Sequence, residues 1–163
     1  MTIFIFFIFI LIWGILNNPK IKGLRGERKI KYILKKLNSE YYKTINDILI
    51  QKNGYSSQID HIVISTFGVF VIETKNYSGK IYGSENDKYW TQYLTQHTIN
   101  KLYSPILQNK GHIIMLQNLL YNYNIPYFSI VVFCGNANIK KLKVQTDVVT
   151  PKKLLKTIKK YNK

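Results

Sequence analysis

The chain opens on an unbroken apolar run, MTIFIFFIFILIWGIL, with no charged side chain in residues 1–16. As a helix it would reach roughly 24 Å at about 1.5 Å per residue, a short membrane span. Asn17-Asn18-Pro19 breaks the run, and the soluble part is expected to begin near residue 20. Within residues 24–37, Ile30, Ile33, Leu34 and Leu37 recur at helical spacing among lysines and arginines, which predicts an amphipathic helix. The pattern then changes. Residues 42–52 and 58–65 are rich in β-branched and aromatic side chains on either side of Asn53-Gly54, a strong turn signal, and predict two strands. Residues 68–75, GVFVIETK, predict a third, joined to the second through Thr66-Phe67 with room only for a hairpin. Short edge strands are expected at 80–82 and 89–93. A second helix, about 106–123, follows Pro105 and should bury Ile113, Leu116, Leu119 and Leu120. The apolar run 128–134, FSIVVFC, suits a central strand covered on both faces. Residues 144–149 form a weaker strand, and 151–161 start with a proline suited to a first helical turn. This order of elements predicts a mixed α/β sandwich.

Composition narrows the class. The chain has 163 residues, 46% hydrophobic, with 24 Lys and Arg against 8 Asp and Glu, a net charge of +16, and one Cys. That length supports one domain with its own core and leaves no room for a large multidomain enzyme. A lone Cys134 excludes a disulfide scaffold, and the apolar content argues against disorder. The apolar segment is read as a retained anchor, since no Lys or Arg precedes it and no small-residue cleavage site follows it. A cleaved signal peptide releasing a secreted factor and a buried core helix are the alternatives. Lys20, Lys22, Arg25, Arg28, Lys29 and Lys31 flank the segment, so by the positive-inside tendency the bulk of the protein should face the cytoplasm.

Two acidic residues stand inside apolar strands, where an ionised carboxylate is costly unless paired or bound to metal. Asp60 lies in QIDHIVIS, and Glu73 in GVFVIETK with Lys75 on the same strand face. If Thr66-Phe67 is a two-residue turn, Ser65 opposes Gly68 and Asp60 falls opposite Glu73, with Cβ atoms about 5 Å apart. Two carboxylates that close repel unless a cation lies between them, and such hard oxygen ligands suit Mg²⁺ or Mn²⁺. Lys75 beside the metal would orient water or stabilise developing charge. An ordinary cross-strand Asp/Lys/Glu ion pair is the plainer reading. His61 adjoins Asp60 but should point to the other face as a packing or surface residue, and His97 has no recognisable context. His112, four residues after Gln108, shares its helix face, and a site contact competes there with a capping or surface role. Tyr77, Tyr89 and Trp90 are candidates for base stacking or for packing, and Cys134 for inert core. There is no zinc cluster, P-loop or nucleophile elbow.

Residues 56–83, SSQIDHIVISTFGVFVIETKNYSGKIYG, resemble the central signature of the nuclease-related domain (NERD), a branch of the PD-(D/E)xK nuclease superfamily. Upstream, Gly26-Glu27 resembles that family's opening Gly-Glu element. Downstream, Pro105-Ile106-Leu107-Gln108-Asn109 with His112 resembles its Pro-x-x-Gln helix, so the resemblance covers about residues 23–135. It implies a restriction-endonuclease-like mixed β-sheet flanked by helices over residues 20–163, preceded by a transmembrane anchor at 1–19. It also implies that Asp60, Glu73 and Glu27 hold Mg²⁺ or Mn²⁺, with Lys75 and Gln108 completing a catalytic set. The implied activity is a metal-dependent phosphodiesterase acting on DNA, with a non-catalytic nucleic-acid-binding or membrane-associated adaptor as the alternative.

The charge fits either partner. A +16 domain binds polyphosphate with strong salt dependence. Residues 20–36, with eight Lys or Arg just beyond the anchor, are assigned mainly to anionic lipid. The last helix, with Lys152, Lys153, Lys156, Lys159 and Lys160 followed by Lys163, is left to nucleic acid or solvent.

Overall fold

The computed structural model describes Gly14, residues 18–52 and residues 54–161. The expected membrane span therefore lies, Gly14 apart, outside the described residues. Among those described, no helix is long and apolar enough to cross a membrane.

In chain order the described elements are α1 (Pro19–Leu34), β1 (Tyr42–Lys52), β2 (Tyr55–Ser65), β3 (Gly68–Lys75), β4 (Gly79–Tyr82), β5 (Tyr89–Tyr93) and β6 (Ile99–Tyr103). Then come α2 (Pro105–Leu119), β7 (Tyr127–Phe133), β8 (Ala137–Asn138), β9 (Asp147–Val149) and α3 (Pro151–Lys159). They form a mixed α/β fold with a five-stranded sheet, ordered β1-β2-β3-β7-β9, and a four-stranded sheet, ordered β6-β5-β4-β8. The first three strands are an antiparallel meander, and β7 and β9 add on in parallel.

Local chemistry explains most boundaries. Asn18 Oδ1 accepts the Lys20 N–H at 2.9 Å and Pro19 fits the first turn, so α1 starts before the apolar stripe that announced it. The α2 helix ends at Leu119, short of the expected residue 123, and Leu119 is exposed rather than buried. Strand β6, INKLY, was not expected from its weak pattern; antiparallel pairing with β5 orders it. At the β2–β3 turn Ser65 pairs with Gly68, whose φ of +144° and 2.4 Å approach of a built Cβ to the Pro126 carbonyl oxygen require glycine.

The β3 strand is the centre of the molecule, and every residue from Gly68 to Thr74 is buried. Phe70 and Ile72 pack with Ile30, Leu34, Val63, Ile130, Leu154 and Ile158 beneath α1 and α3. Val69 and Val71 pack on the opposite side with Ile59, Ile62 and Leu116 of α2. A third cluster, around Ile81, Trp90, Ile106, Val131 and Phe133, joins the two sheets. Strand alternation thus turns Glu73 and Lys75 toward α2 and Thr74 toward α1.

Gly26 is where α1 meets the end of β3: a Cβ built there would lie 3.1 Å from Asn76 Cβ and 3.4 Å from Thr74 Cγ2. The contact is latched by Asn76 Nδ2, which donates to the Lys22 carbonyl at 2.6 Å, and by Cys134 Sγ, 3.7 Å from the Gly26 carbonyl. Burial pushes the Cys134 thiol up to about 12, which suits an unreactive packing role. A branched side chain at Gly26 would crowd Asn76 and Thr74 and force the neighbouring atoms to give by at least a few tenths of an ångström. Gly26→Val is expected to cost about 1–3 kcal/mol in a urea melt, and an unchanged midpoint would show that α1 is not held by this contact.

Candidate active site

The meander register brings the strand acids to one level. Paired residues in β2–β3 run from Ser65↔Gly68 to His61↔Ile72, which makes Asp60 and Glu73 the next two opposite one another. The backbone ladder stops there. Asp60 Oδ2 instead accepts the Thr74 N–H at 2.7 Å, replacing a strand hydrogen bond by a side-chain one. The β1–β2 ladder skips the same level: Asn46 pairs with His61 and Ile48 with Ile59, while Asp47 between them adopts φ +56°. Ile59 and Ile62 also share the α2-side cluster although three residues apart, so the face alternation changes phase across Asp60. Asp47, Asp60 and Glu73 stand on three adjacent strands at one height.

Glu73 is 2% exposed and fully engaged. Its Oε1 meets Lys75 Nζ at 2.7 Å and its Oε2 meets His112 Nε2 at 3.2 Å. His112 Nδ1 closes on Ser57 Oγ at 2.6 Å, and Lys75 Nζ donates to Gln108 Oε1 at 2.9 Å. Both helical partners come from α2, one turn apart, as their spacing requires. That helix is placed by Pro105, by Ser104 Oγ accepting the Leu107 N–H at 3.4 Å, and by Asn109. Asn109 is fully buried and donates to the Val71 carbonyl and to Ser129 Oγ, each at 2.8 Å, tying α2 to β3 and β7.

Electrostatics separates these groups. Burial and the neighbouring Glu73 push Asp60 up to about 7, against the Thr74 N–H, which favours its charged form. Burial also works to raise Glu73, but the His112 hydrogen bond and the Lys75 ammonium outweigh it and hold that carboxyl below its usual range. Burial likewise works to lower Lys75, but the charge and hydrogen bond of Glu73 win and keep it a firm cation. Glu27, on α1, is raised by burial and then by Asp47 and Glu73. It makes no direct hydrogen bond or ion pair with the other site residues, although Gly26 brings its backbone in close. Four of the eight acidic residues of a +16 chain thus feel one another in one region.

A family model described as the nuclease-related domain matches residues 22–134. The chain belongs to the nuclease-related domain family. It is similar to an uncharacterized protein of Bacillus anthracis, 37% identical over 129 residues, 78% of this chain and 60% of the relative. The chain therefore spans about three fifths of the length of that relative. Among solved structures it is similar to a protein of unknown function, AF1548, at 10% identity and a TM-score of 0.39, over 76% of this chain and 56% of that one. The two sheets and three described helices fit a nuclease-like fold.

Nuclease-related domains typically use divalent metals, and the carboxylates here offer the hard oxygen donors that such a cation takes. Asp60 Oδ1 has no protein partner, its ionised form is disfavoured by burial and by the neighbouring Glu73, and every nearby acidic donor is a hard oxygen. The expected trio of Glu27, Asp60 and Glu73 is not assembled as a ready-made cluster, since among the described residues no three acidic, His or Cys side chains converge on one point. Glu27 stays out of contact with the strand acids, and both Glu73 oxygens meet Lys75 and His112.

Other expected residues fall elsewhere. His61 is buried, bonds Asn46 Oδ1 through Nδ1 at 2.8 Å, and is driven down to about 4 by burial, so it packs as a neutral ring. His97 is exposed in the β5–β6 loop. Trp90 is 1% exposed, stacked on Phe133 and donating Nε1–H to the Ser84 carbonyl, so it is unavailable to bases. Tyr77 packs edge-on against the same Phe133, whereas Tyr89 is exposed. Asp47, Ser57 and Asn109 went unassigned. Asp47 had a signal: a two-residue turn at Asn53-Gly54 pairs Lys52 with Tyr55 and sets Asp47 opposite Asp60.

Proposed function

We propose that this nuclease-related domain is a metal-dependent phosphodiesterase of the PD-(D/E)xK kind that cleaves DNA and is tethered to the membrane by residues 1–16. The observation that carries this reading is Lys75 Nζ fixed between Glu73 Oε1 and Gln108 Oε1 beside the under-compensated carboxylate of Asp60. Held by Asp60, Glu73 and Glu27, Mg²⁺ or Mn²⁺ would supply Lewis-acid polarisation of a phosphoryl oxygen. Lys75 keeps its proton, so it serves as a fixed positive charge for the phosphate oxygens as water forms its bond to phosphorus and the ester P–O bond breaks. Gln108 and Glu73 hold the ammonium in place. Because Asp60 bonds Thr74 through one oxygen only, the other is free to face a cation.

The charge of +16 supports a polyanionic substrate. The apolar run at 1–16 followed by basic residues 20–36 supports an anchor at 1–19, with the domain of residues 20–163 on the cytoplasmic side and anionic lipid against the basic stretch. One observation favours an adaptor that keeps the nuclease fold without cleaving: both Glu73 oxygens are already occupied by protein partners.

The full chain in detergent micelles, given circular plasmid DNA with Mg²⁺ or Mn²⁺, is expected to nick it. Asp60→Ala and Lys75→Ala should each reduce the rate by about 100-fold or more. Binding of DNA and Mn²⁺ without nicking by the unaltered chain would support the adaptor, and nicking undiminished in both variants would remove the chemistry from this site.

A further inference from the structure

The second sheet has one face turned into the molecule and one left to solvent. Ile81, Trp90 and Leu102 face inward and pack on Phe133 and Ile106. Alternation turns Tyr82 of β4, Tyr89 and Tyr93 of β5, and Tyr103 of β6 outward, each between 37% and 47% exposed. Four tyrosines on three adjacent short strands are more aromatic surface than packing explains, because nothing in the described residues covers them. Tyr82 and Tyr93 meet edge to face at 5.4 Å, and Tyr89 and Tyr103 at 6.1 Å. Lysines are interleaved with them: Lys101 Nζ lies 4.3 Å from the Tyr89 ring centre and Lys88 Nζ 5.7 Å.

The face is concave. A groove of about 740 Å³ runs beside Lys80, Tyr82, Thr91 and Tyr93 as far as the loop at Thr95 and Gln96. A second groove of about 270 Å³ shares Tyr82 and Thr91 with the first and adds Tyr89, Lys141 and Lys143. The one carboxylate on the lining, Asp87, is tied to the Ser84 N–H at 2.8 Å. The surface therefore alternates flat aromatic rings with ammonium groups and holds little negative charge. Stacking rings suit exposed bases, and the lysines suit the phosphates between them; a duplex hides its base faces and could use only the lysines.

We propose that the outer face of the four-stranded sheet, centred on Tyr82, Tyr89 and Tyr93 with Lys80 and Lys101, binds single-stranded nucleic acid by base stacking. This rests on the reading of the domain as one that acts on nucleic acid, and it adds strandedness and a second contact surface to that reading. Strand β4 begins four residues after Lys75, at most about 15 Å of chain away.

The test is binding of a fluorescent oligo(dT) 20-mer and of a duplex of equal length to the full chain in detergent micelles with EDTA, so that binding and cleavage fail separately. The unaltered chain should bind the single strand at least tenfold more tightly than the duplex at 150 mM salt. Tyr82→Ala with Tyr93→Ala should weaken oligo(dT) binding about tenfold or more, and phenylalanine at both positions should restore it. Lys80→Gln with Lys101→Gln should flatten the dependence of log affinity on log salt by about 1.4, roughly 0.7 for each lysine removed. Alanine variants that bind oligo(dT) like the unaltered chain would overturn the proposal, as would equal or tighter duplex binding. So would tyrosine-dependent attachment to phosphatidylglycerol vesicles without tyrosine-dependent binding of oligo(dT). Because EDTA removes the cation, the binding result stands whether or not the protein cleaves DNA.

Discussion

Lys75→Met is expected to destabilise the folded protein by roughly 3 kcal/mol, which for a chain of this size lowers the melting temperature by about 6–12 °C. The ammonium is 16% exposed, but its partner Glu73 is 2% exposed and would be left with the His112 hydrogen bond alone. Breaking a buried pair from one side strands a charge in a poorly solvated place, and that penalty, rather than the lost attraction, dominates the loss. The diagnostic is the double variant. Glu73→Gln with Lys75→Met removes both charges, keeps an amide able to meet His112, and should regain a large part of the stability lost by Lys75→Met alone. A double-mutant cycle in urea, run with EDTA at pH 7.5, should return a coupling of at least about 1 kcal/mol. Simple additivity of the two single changes would show that the pair is not the unit that stabilises the end of β3.

The second large effect concerns pH and metal. Asp60 has a folded pKa of about 7 against an ordinary value of 3.8, so between those values the folded chain keeps a proton that the unfolded chain releases. Stability contributed by this group is therefore present below about pH 4 and lost as pH rises to about 7, the reverse of a salt-bridged carboxylate. The three-unit shift sets an upper bound of about 4 kcal/mol, and partial solvent access reduces it to a few. Asp60→Asn keeps an oxygen for the Thr74 N–H and removes the charge, so without metal the variant should melt several degrees above the unaltered chain at pH 8 and level with it near pH 4. Divalent cation reverses the comparison. Mn²⁺ should stabilise the unaltered chain more at pH 8 than at pH 5, release up to about one proton per ion at pH 6, and leave Asp60→Asn nearly unmoved. A melting difference between the two chains that does not change with pH would remove Asp60 as the group that titrates.

Much of the site was legible because its first part is local. The Thr66-Phe67 turn has only one compact register, and that register sets Asp60 opposite Glu73 and puts Lys75 on the face of Glu73. Gln108 and His112 shared a helix face by their spacing, but nothing in that spacing said what the face would cover. Asp47 was hidden because its signal needs two turns read together, the one at Asn53-Gly54 and the one at Thr66-Phe67. Trp90 was left open between stacking and packing because a short strand exposes one side chain and buries the next, and only Phe133, from a distant strand, says which. The same alternation then freed Tyr89 beside it.

By itself the sequence determined the mixed α/β class, the three-strand meander with its register, the basic charge and the rarity of acids inside apolar strands. These are nearest-neighbour properties: turn residues, period-two alternation and composition act over a few residues and survive without a partner. The tertiary structure alone decided that α2 lies over Glu73 with both of its carboxylate oxygens occupied, and that α1 brings Glu27 near without contact. It also decided that a second sheet turns four tyrosines outward. Periodicity says which face of an element is apolar, but the choice of covering element is made by packing among distant segments, through single contacts such as Gly26 on Asn76 and Asn109 on the Val71 carbonyl.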